Sequence, residues 1–274
     1  MNTVRVMSKN AAYQKFEVLR TNRNKRYRYG EFLVEGVRNI NQAIRNGWQF
    51  TSLLYSPETP LSRWAQEVLD TVSCDTHYQL SANLMQELSG KTDTSELLAT
   101  LRMRPDDPAL LRASSCPLYI LFDRPSNHGN LGSIIRSADA LGADGLILTG
   151  HGVDLYQPEV ITASMGSFFN LPAIRMADNG TVFDWIARQR DLHPGFQVIG
   201  TTAHKQLNIT QVDFRLPTLL MIGNETEGLC RAFKEGCDLL ATIPMADTSS
   251  ASSFNVACAA TVMMYEVCRQ RAQE

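Results

Sequence analysis

Residues Leu118 to Thr149, LYILFDRPSNHGNLGSIIRSADALGADGLILT, compress a strand, a loop, a helix and a second strand into one unit. Leu118, Tyr119, Ile120, Leu121 and Phe122 form a short unbroken apolar run, the pattern of a strand buried on both faces of a parallel sheet. The run stops at Asp123, and Arg124–Gly129 holds the Pro, Ser, Asn and Gly that end strands. Asn130 stands where it can cap a helix whose apolar face is Leu131, Ile134, Ile135, Ala138 and Leu141, with Gly142 at its close. Arg136 falls off that face. A guanidinium there, beyond the carboxyl end of a buried strand, lies where open α/β sheets hold their ligands.

The same alternation extends on both sides. Downstream, helical spacing over Gln157–Ser167 and Asp184–Arg188 alternates with strand patterns at Leu171–Arg175, Phe196–Gly200, Thr218–Gly223 and Leu239–Ile243. A last helix opens near Asn255 and is apolar almost all round from Val256 to Met264, Cys258 and Met263 included, so it must be covered on both sides. Upstream, helices are expected at Asn10–Asn22, behind Gly36, at Leu61–Leu69 and at Asn83–Leu88, with strands at Glu31–Glu35 and Phe50–Tyr55. That is a small α/β domain over residues 1–103. Residues 104–117 are proline-rich and aperiodic and read as a linker, leaving 118–274 as a second domain.

The 274 residues are 44% apolar and 20% charged, ordinary for a chain with a real core. No apolar run reaches the roughly 20 residues of a membrane span, and the first ten residues lack the apolar segment of a signal peptide, so a cytoplasmic protein is expected. The six cysteines form no CxxC pair and the five histidines no short zinc spacing, so no metal is expected. Net charge is −2, but residues 1–30 carry eight Lys and Arg against Glu17 alone, a local +7 on a body of −9. Within this basic arm Arg23, Lys25, Arg26 and Arg28 interleave with Tyr27 and Tyr29, a pattern suited to phosphates and unpaired bases.

The order Asn130-Leu-Gly132-Ser-Ile-Ile-Arg136, then Met221-Ile-Gly-Asn-Glu225-Thr-Glu-Gly228-Leu, then Ile243-Pro-Met245 leading to Ser253-Phe-Asn255-Val, resembles the three motifs of the SpoU (TrmH-like) RNA ribose 2′-O-methyltransferases of the SPOUT superfamily. Phe32-Leu-Val-Glu-Gly36 with Arg38, and Leu97-Leu-Ala99, are similar to the L30e-like substrate-binding domain that often precedes them. The resemblance implies an α/β fold whose C-terminal parallel sheet carries a deep trefoil knot, S-adenosylmethionine (AdoMet) as cofactor, RNA as substrate, and a homodimer through the C-terminal domain, with the last helix in its interface.

Residue by residue, the resemblance makes Arg136 the catalytic arginine, with Asn130 and Glu225 orienting it and Ser253 and Asn255 positioning ribose and cofactor. A charge pair between Glu225 and Arg136 is expected. Whether Arg136 takes the proton or polarises the hydroxyl stays open, since a guanidinium with a pKa above about 12 is a poor base in water. The strand ends at Thr201, Gly223, Ile243 and Met245, together with Phe254, are expected to hold the cofactor. The segment Ala246–Phe254 is about two residues longer than the family's usual loop. The L30e-like domain tilts the substrate toward rRNA over tRNA. Two readings compete: a catalytically inactive RNA-binding protein of the same fold, and a nucleotide-dependent oxidoreductase, against which the absence of GxGxxG counts.

Overall fold

The computed structural model describes residues 2–91, 93–204 and 206–272; the expected domain ends at 1 and 274 lie outside them. The chain divides into two compact units, one running up to Arg104 and including Asp154–Asn170, the other formed by Pro105–Val153 and the chain from Leu171 onward. Two consecutive domains split by a linker are therefore not what the chain forms, because Asp154–Asn170 returns to the first unit.

The first unit follows the order β1 (Asn2–Val6), α1 (Ala11–Thr21), α2 (Arg23–Tyr29), β2 (Glu31–Glu35), α3 (Val37–Arg45), β3 (Phe50–Tyr55), α4 (Arg63–Thr71), β4 (Thr76–Leu80), α5 (Ala82–Leu88) and β5 (Leu97–Arg102). Its sheet runs β1-β4-β3-β5-β2, parallel across β1, β4 and β3 and antiparallel across β5 and β2. Asn10 starts α1 by accepting hydrogen bonds from Ala12 N and Tyr13 N, and the helix then buries Tyr13, Phe16 and Leu19 against Leu33, Leu54, Leu80 and Leu98.

The basic N-terminal stretch is part of this fold, since β1 pairs with β4 and α2 is a capped helix. One of its four cations turns inward. Arg26 is fully buried, 2.7 Å from Asp154 Oδ2, and donates to the carbonyls of Leu19 at 2.9 Å and Arg20 at 3.0 Å. A guanidinium consumed this way cannot meet RNA, so Arg26 leaves the set of candidate RNA contacts. Arg23, Lys25 and Arg28 are not fully buried.

The second unit opens with β6 (Leu118–Asp123), α6 (His128–Ala140) and β7 (Gly145–Thr149), all six residues of β6 being buried. After α7 (Pro158–Ala163), the helix of the returning segment, come β8 (Ala173–Met176), α8 (Asn179–Leu192), β9 (Gln197–Thr201), β10 (Leu207–Asn208), β11 (Thr218–Ile222), α9 (Arg231–Gly236), β12 (Leu239–Thr242) and α10 (Val256–Arg271). The seven strands lie in the order β10-β12-β9-β11-β6-β7-β8, every pair parallel. Tyr119, Leu121, Ile147, Leu219 and Met221 share one core with Trp185, Phe196 and Phe233, and the aperiodic 104–117 segment adds Leu111 to it.

Two local expectations change. The cap of α6 is Asn127, whose Oδ1 accepts from Asn130 N at 2.9 Å, so Asn130 sits inside the first turn. Its side chain is thereby released for other work. In α10, Ala257, Ala260, Met263, Met264 and Val267 are buried, whereas Cys258, Val262 and Tyr265 are exposed. Cys258 is therefore no core residue. Among the described residues no helix is long and apolar enough to cross a membrane, and no group of three or more His, Cys, Asp or Glu is placed to hold a metal.

Candidate active site

Parallel pairing brings the carboxyl ends of β9, β11, β6 and β12 side by side: Ile222 is in register with Phe122, Met221 with Gly200, and Ala241 with Thr201. The loops leaving these ends enclose a cavity of about 360 Å³. Its lining includes Thr201, Gly223, Ile243, Met245 and Phe254, together with Glu225 and Ser253. The long Ala246–Phe254 loop thus reaches the cavity with its last residues, Phe254 being 45% exposed at the rim.

Gly223 has a contact reason to be glycine. A Cβ there would meet Leu229 N at 2.2 Å and the Gly228 carbonyl carbon at 2.3 Å. The chain folds back so closely that only hydrogen fits between, and the bare backbone faces the cavity.

Three of the expected catalytic residues form one chain of hydrogen bonds. Glu225 Oε2 accepts from Ser126 Oγ at 2.6 Å and Ser126 N at 3.0 Å, while Oε1 accepts from Asn127 N at 3.1 Å and Asn130 Nδ2 at 3.4 Å. Asn130 Oδ1 in turn accepts from Asn255 Nδ2 at 3.2 Å, and Asn255 Oδ1 caps α10 through Ala257 N and Cys258 N. Burial alone would push the Glu225 carboxyl up, but the donors from Ser126 and Asn130 outweigh it and hold it below the usual carboxylate range. The charged form is the one this cradle is built for.

Glu225 is therefore not the charge partner of Arg136. Its oxygens are taken by amides and a hydroxyl of the α6 entry loop, and no hydrogen bond or ion pair among the described residues ends on Arg136. That guanidinium is exposed on α6, in the open. Next to it Ser137 Oγ meets Thr261 Oγ1 at 2.8 Å, tying α6 to α10. Ser253 lines the cavity without a hydrogen bond among the described residues. Sequence reading missed Ser126 and Asn127, which hold Glu225. Their signal was two polar residues ahead of a helix, indistinguishable from a solvated turn.

A parallel sheet with a cavity at its strand ends, backed by a fixed carboxylate–amide chain, is the architecture of an α/β enzyme that binds a small molecule there. The chain belongs to the SpoU rRNA Methylase family, which residues 117–265 match, and residues 10–99 match the SpoU L30e-like domain. It is 46% identical over 268 residues, 97% of this chain and 92% of the relative, to the 23S rRNA (uridine(2479)-2′-O)-methyltransferase of Streptomyces viridochromogenes. The crystal structure of the SpoU methyltransferase AviRb from that organism, in complex with AdoMet, superposes with a TM-score of 0.90 at 46% identity, covering 96% of this chain and 98% of that one. An AdoMet-bound rRNA methyltransferase from Sinorhizobium meliloti matches at 27% identity and a TM-score of 0.84, over 97% and 98% of the two chains.

Proposed function

We propose that this protein is an AdoMet-dependent RNA methyltransferase that methylates a ribose 2′-hydroxyl of rRNA. The observation that carries the reading is the chain Glu225–Asn130–Asn255, which joins residues from all three motifs beside the cavity. The 46% identity to an rRNA 2′-O-methyltransferase over nearly the whole chain supports the same activity.

The cavity suits the cofactor. Its wall at Gly223 is a cradle that a Cβ would fill, and Thr201, Ile243, Met245 and Phe254 surround it with backbone and apolar surface that accommodate an adenosyl group without a charged partner. When bound, AdoMet supplies an electrophilic methyl on a sulfonium. The residues supply the rest. Glu225 holds Asn130 and the α6 entry loop rigid, and Asn255 links that loop to α10, so the site is preorganised. Arg136, unpaired in the described chain, is available to grip a phosphate and polarise the attacking hydroxyl. Ser253 offers the ribose a hydroxyl. Arg23, Lys25 and Arg28 add phosphate contacts from the first unit, and ribosomal RNA as substrate puts the working protein in the cytoplasm.

The reading includes a homodimer. Cys258, Val262 and Tyr265 lie along one side of α10 at helical spacing, and Val262 and Tyr265 are 41% and 57% exposed. A two-fold partner covers such a stripe with its own copy. Met263 is the wrong residue on which to test this, because it is buried within the chain and lines the cavity. Tyr265→Asp is expected to shift sedimentation from a dimer to a 30.6 kDa species. A wild type that sediments at that mass and is active removes the dimer. For the activity, total RNA from cells with and without the protein is mapped for ribose methylation. One rRNA position should lose its methyl group without the protein. Identical maps, with no transfer to rRNA in vitro, would return the chain to RNA binding alone.

A further inference from the structure

Arg124 stands where the chain leaves β6, with its backbone in the left-handed region at φ 50°. A residue with a Cβ stays there only when its surroundings hold it. Arg124 pairs through Nη1 with Glu227, donates from Nη2 to the Gly228 carbonyl at 3.0 Å, and places Nε 3.2 Å from Asp123 Oδ2. Its own carbonyl accepts from Asn224 Nδ2 at 2.7 Å. The anchor beneath is rigid: Asp123 is buried and accepts from Thr149 Oγ1 at 2.9 Å and Cys230 N at 2.8 Å. Gly150 leaves room for the arginine stem, since a Cβ there would lie 2.6 Å from Arg124 Cγ.

The segment gripped by these contacts is closed on itself. Asn224 and Gly228 exchange N–H···O bonds at 3.1 and 3.0 Å, and Asn224 Oδ1 accepts from Thr226 N and Glu227 N. Asn224 through Gly228 forms part of the cavity lining. We propose that Arg124 is a positioning residue for the methyl-donor cavity, clamping the Asn224–Gly228 turn into the shape that forms one of its walls. The turn has two independent grips. Glu225 is held by Ser126, Asn127 and Asn130, and the Glu227–Gly228 end is held by Arg124. Removing the second grip loosens the wall while leaving the Glu225–Asn130–Asn255 chain assembled, so the effect falls on cofactor affinity rather than on turnover.

This rests on the cavity being the AdoMet site, and the test separates the two claims. Arg124→Gly removes the clamp and also relaxes the backbone, so the variant is expected to fold. Its dissociation constant for AdoMet by calorimetry, and its KM for AdoMet, should rise about tenfold, with kcat within about threefold of wild type. Hydrogen exchange of the cofactor-free protein should quicken in residues 223–230 and not in β6 or α10. Arg124→Lys, which keeps the charge but not the fork, should recover part of the affinity. Arg231→Gln, which breaks an exposed pair with Glu235, should change nothing. Arg124→Gly binding AdoMet within about twofold of wild type, with unchanged exchange in 223–230, overturns the clamp. Should wild type itself fail to bind AdoMet, the functional reading falls and the exchange measurement alone decides whether Arg124 holds the turn.

Discussion

Gly223→Ala adds one methyl group at the point where the chain passes closest to itself. Built on the existing backbone, the new Cβ would lie 2.2 Å from Leu229 N, 2.3 Å from the Gly228 carbonyl carbon and 2.7 Å from Gly228 Cα, where real Cβ contacts essentially never fall below 3.0 Å. All three atoms are backbone, so no side chain can swing aside, and the Gly228–Leu229 segment must retreat by roughly 0.8 Å. Leu229 is 2% exposed and shares its core with Met221 and Phe233, which resist the shift. Overpacking of this kind costs about 1–3 kcal/mol. In a chain of this size that lowers the melting temperature by roughly 2–10 °C. Affinity should suffer more, because the displaced segment lines the cavity, and a misplacement near 1 Å is worth up to about a hundredfold where binding depends on fixed geometry. Calorimetric titration with AdoMet and a melting curve on one preparation make the check. A variant with wild-type melting and a dissociation constant within about threefold of wild type would refute the contact argument and move the cofactor away from Gly223.

Arg26→Gln is expected to destabilise the first unit by about 3–5 kcal/mol, because it leaves Asp154 buried without its charge partner; chemical denaturation measures it, and a decrease below about 1 kcal/mol would mean that water reaches the pair. Replacing Arg23, Lys25 and Arg28 together with Gln should leave stability unchanged and flatten the plot of log K for RNA against log salt by up to about 0.7 for each phosphate no longer neutralised; an unaltered slope takes these three away from the RNA. Glu225→Gln should flatten the acid limb of stability. With its folded pKa depressed, the Glu225 contribution is complete above the ordinary carboxylate value of about 4.3 and disappears as pH falls through the lower folded value, so melting curves of the two proteins should converge in acid. Parallel curves would show that the hydrogen-bond cradle does not favour the charged form. Arg136→Ala should abolish methyl transfer with fold and AdoMet binding intact, given its exposed place on α6; activity within about threefold of wild type, a barrier change under about 1 kcal/mol, removes it from the mechanism.

What the sequence disclosed was governed by how local each signal was. Leu118–Phe122 and Thr218–Ile222 read directly as buried strands, because an unbroken apolar run needs cover on both sides wherever the chain goes, and both are buried throughout. Asn2–Val6 gave no such signal. It is an edge strand with one buried residue, held by parallel pairing with Thr76–Leu80 more than 70 positions away. The inward turn of Arg26 was hidden for a related reason. Among four cations within a short helix, only the packing of α2 selects one to meet Asp154, 128 positions on. Helix ends fail differently: Asn127 and Asn130 are both good caps, and His128-Gly129 between them argues weakly for helix, so local preference favours the wrong asparagine.

The site combines both kinds of information. Each motif was visible because its residues are close in sequence and their types are restricted by chemistry. Their mutual contact was not, since Asn130 reaches Glu225 across 95 positions and Asn255 across 125. That meeting depends on strand order: β11 runs beside β6, so the loop after Ile222 emerges next to the loop after Asp123, and α10 returns against α6 to bring Asn255 to the same place. Strand order is a property of the whole chain, and no local pattern encodes it. The expected pairing of Glu225 with Arg136 fails at this step, because it matches two charges by sign without knowing which loop lies between them. The Ser126–Asn127 amides are there, within hydrogen-bond reach of Glu225, and they satisfy the carboxylate. With Glu225 occupied, Arg136 keeps its charge available for the substrate, which is the condition a catalytic guanidinium requires.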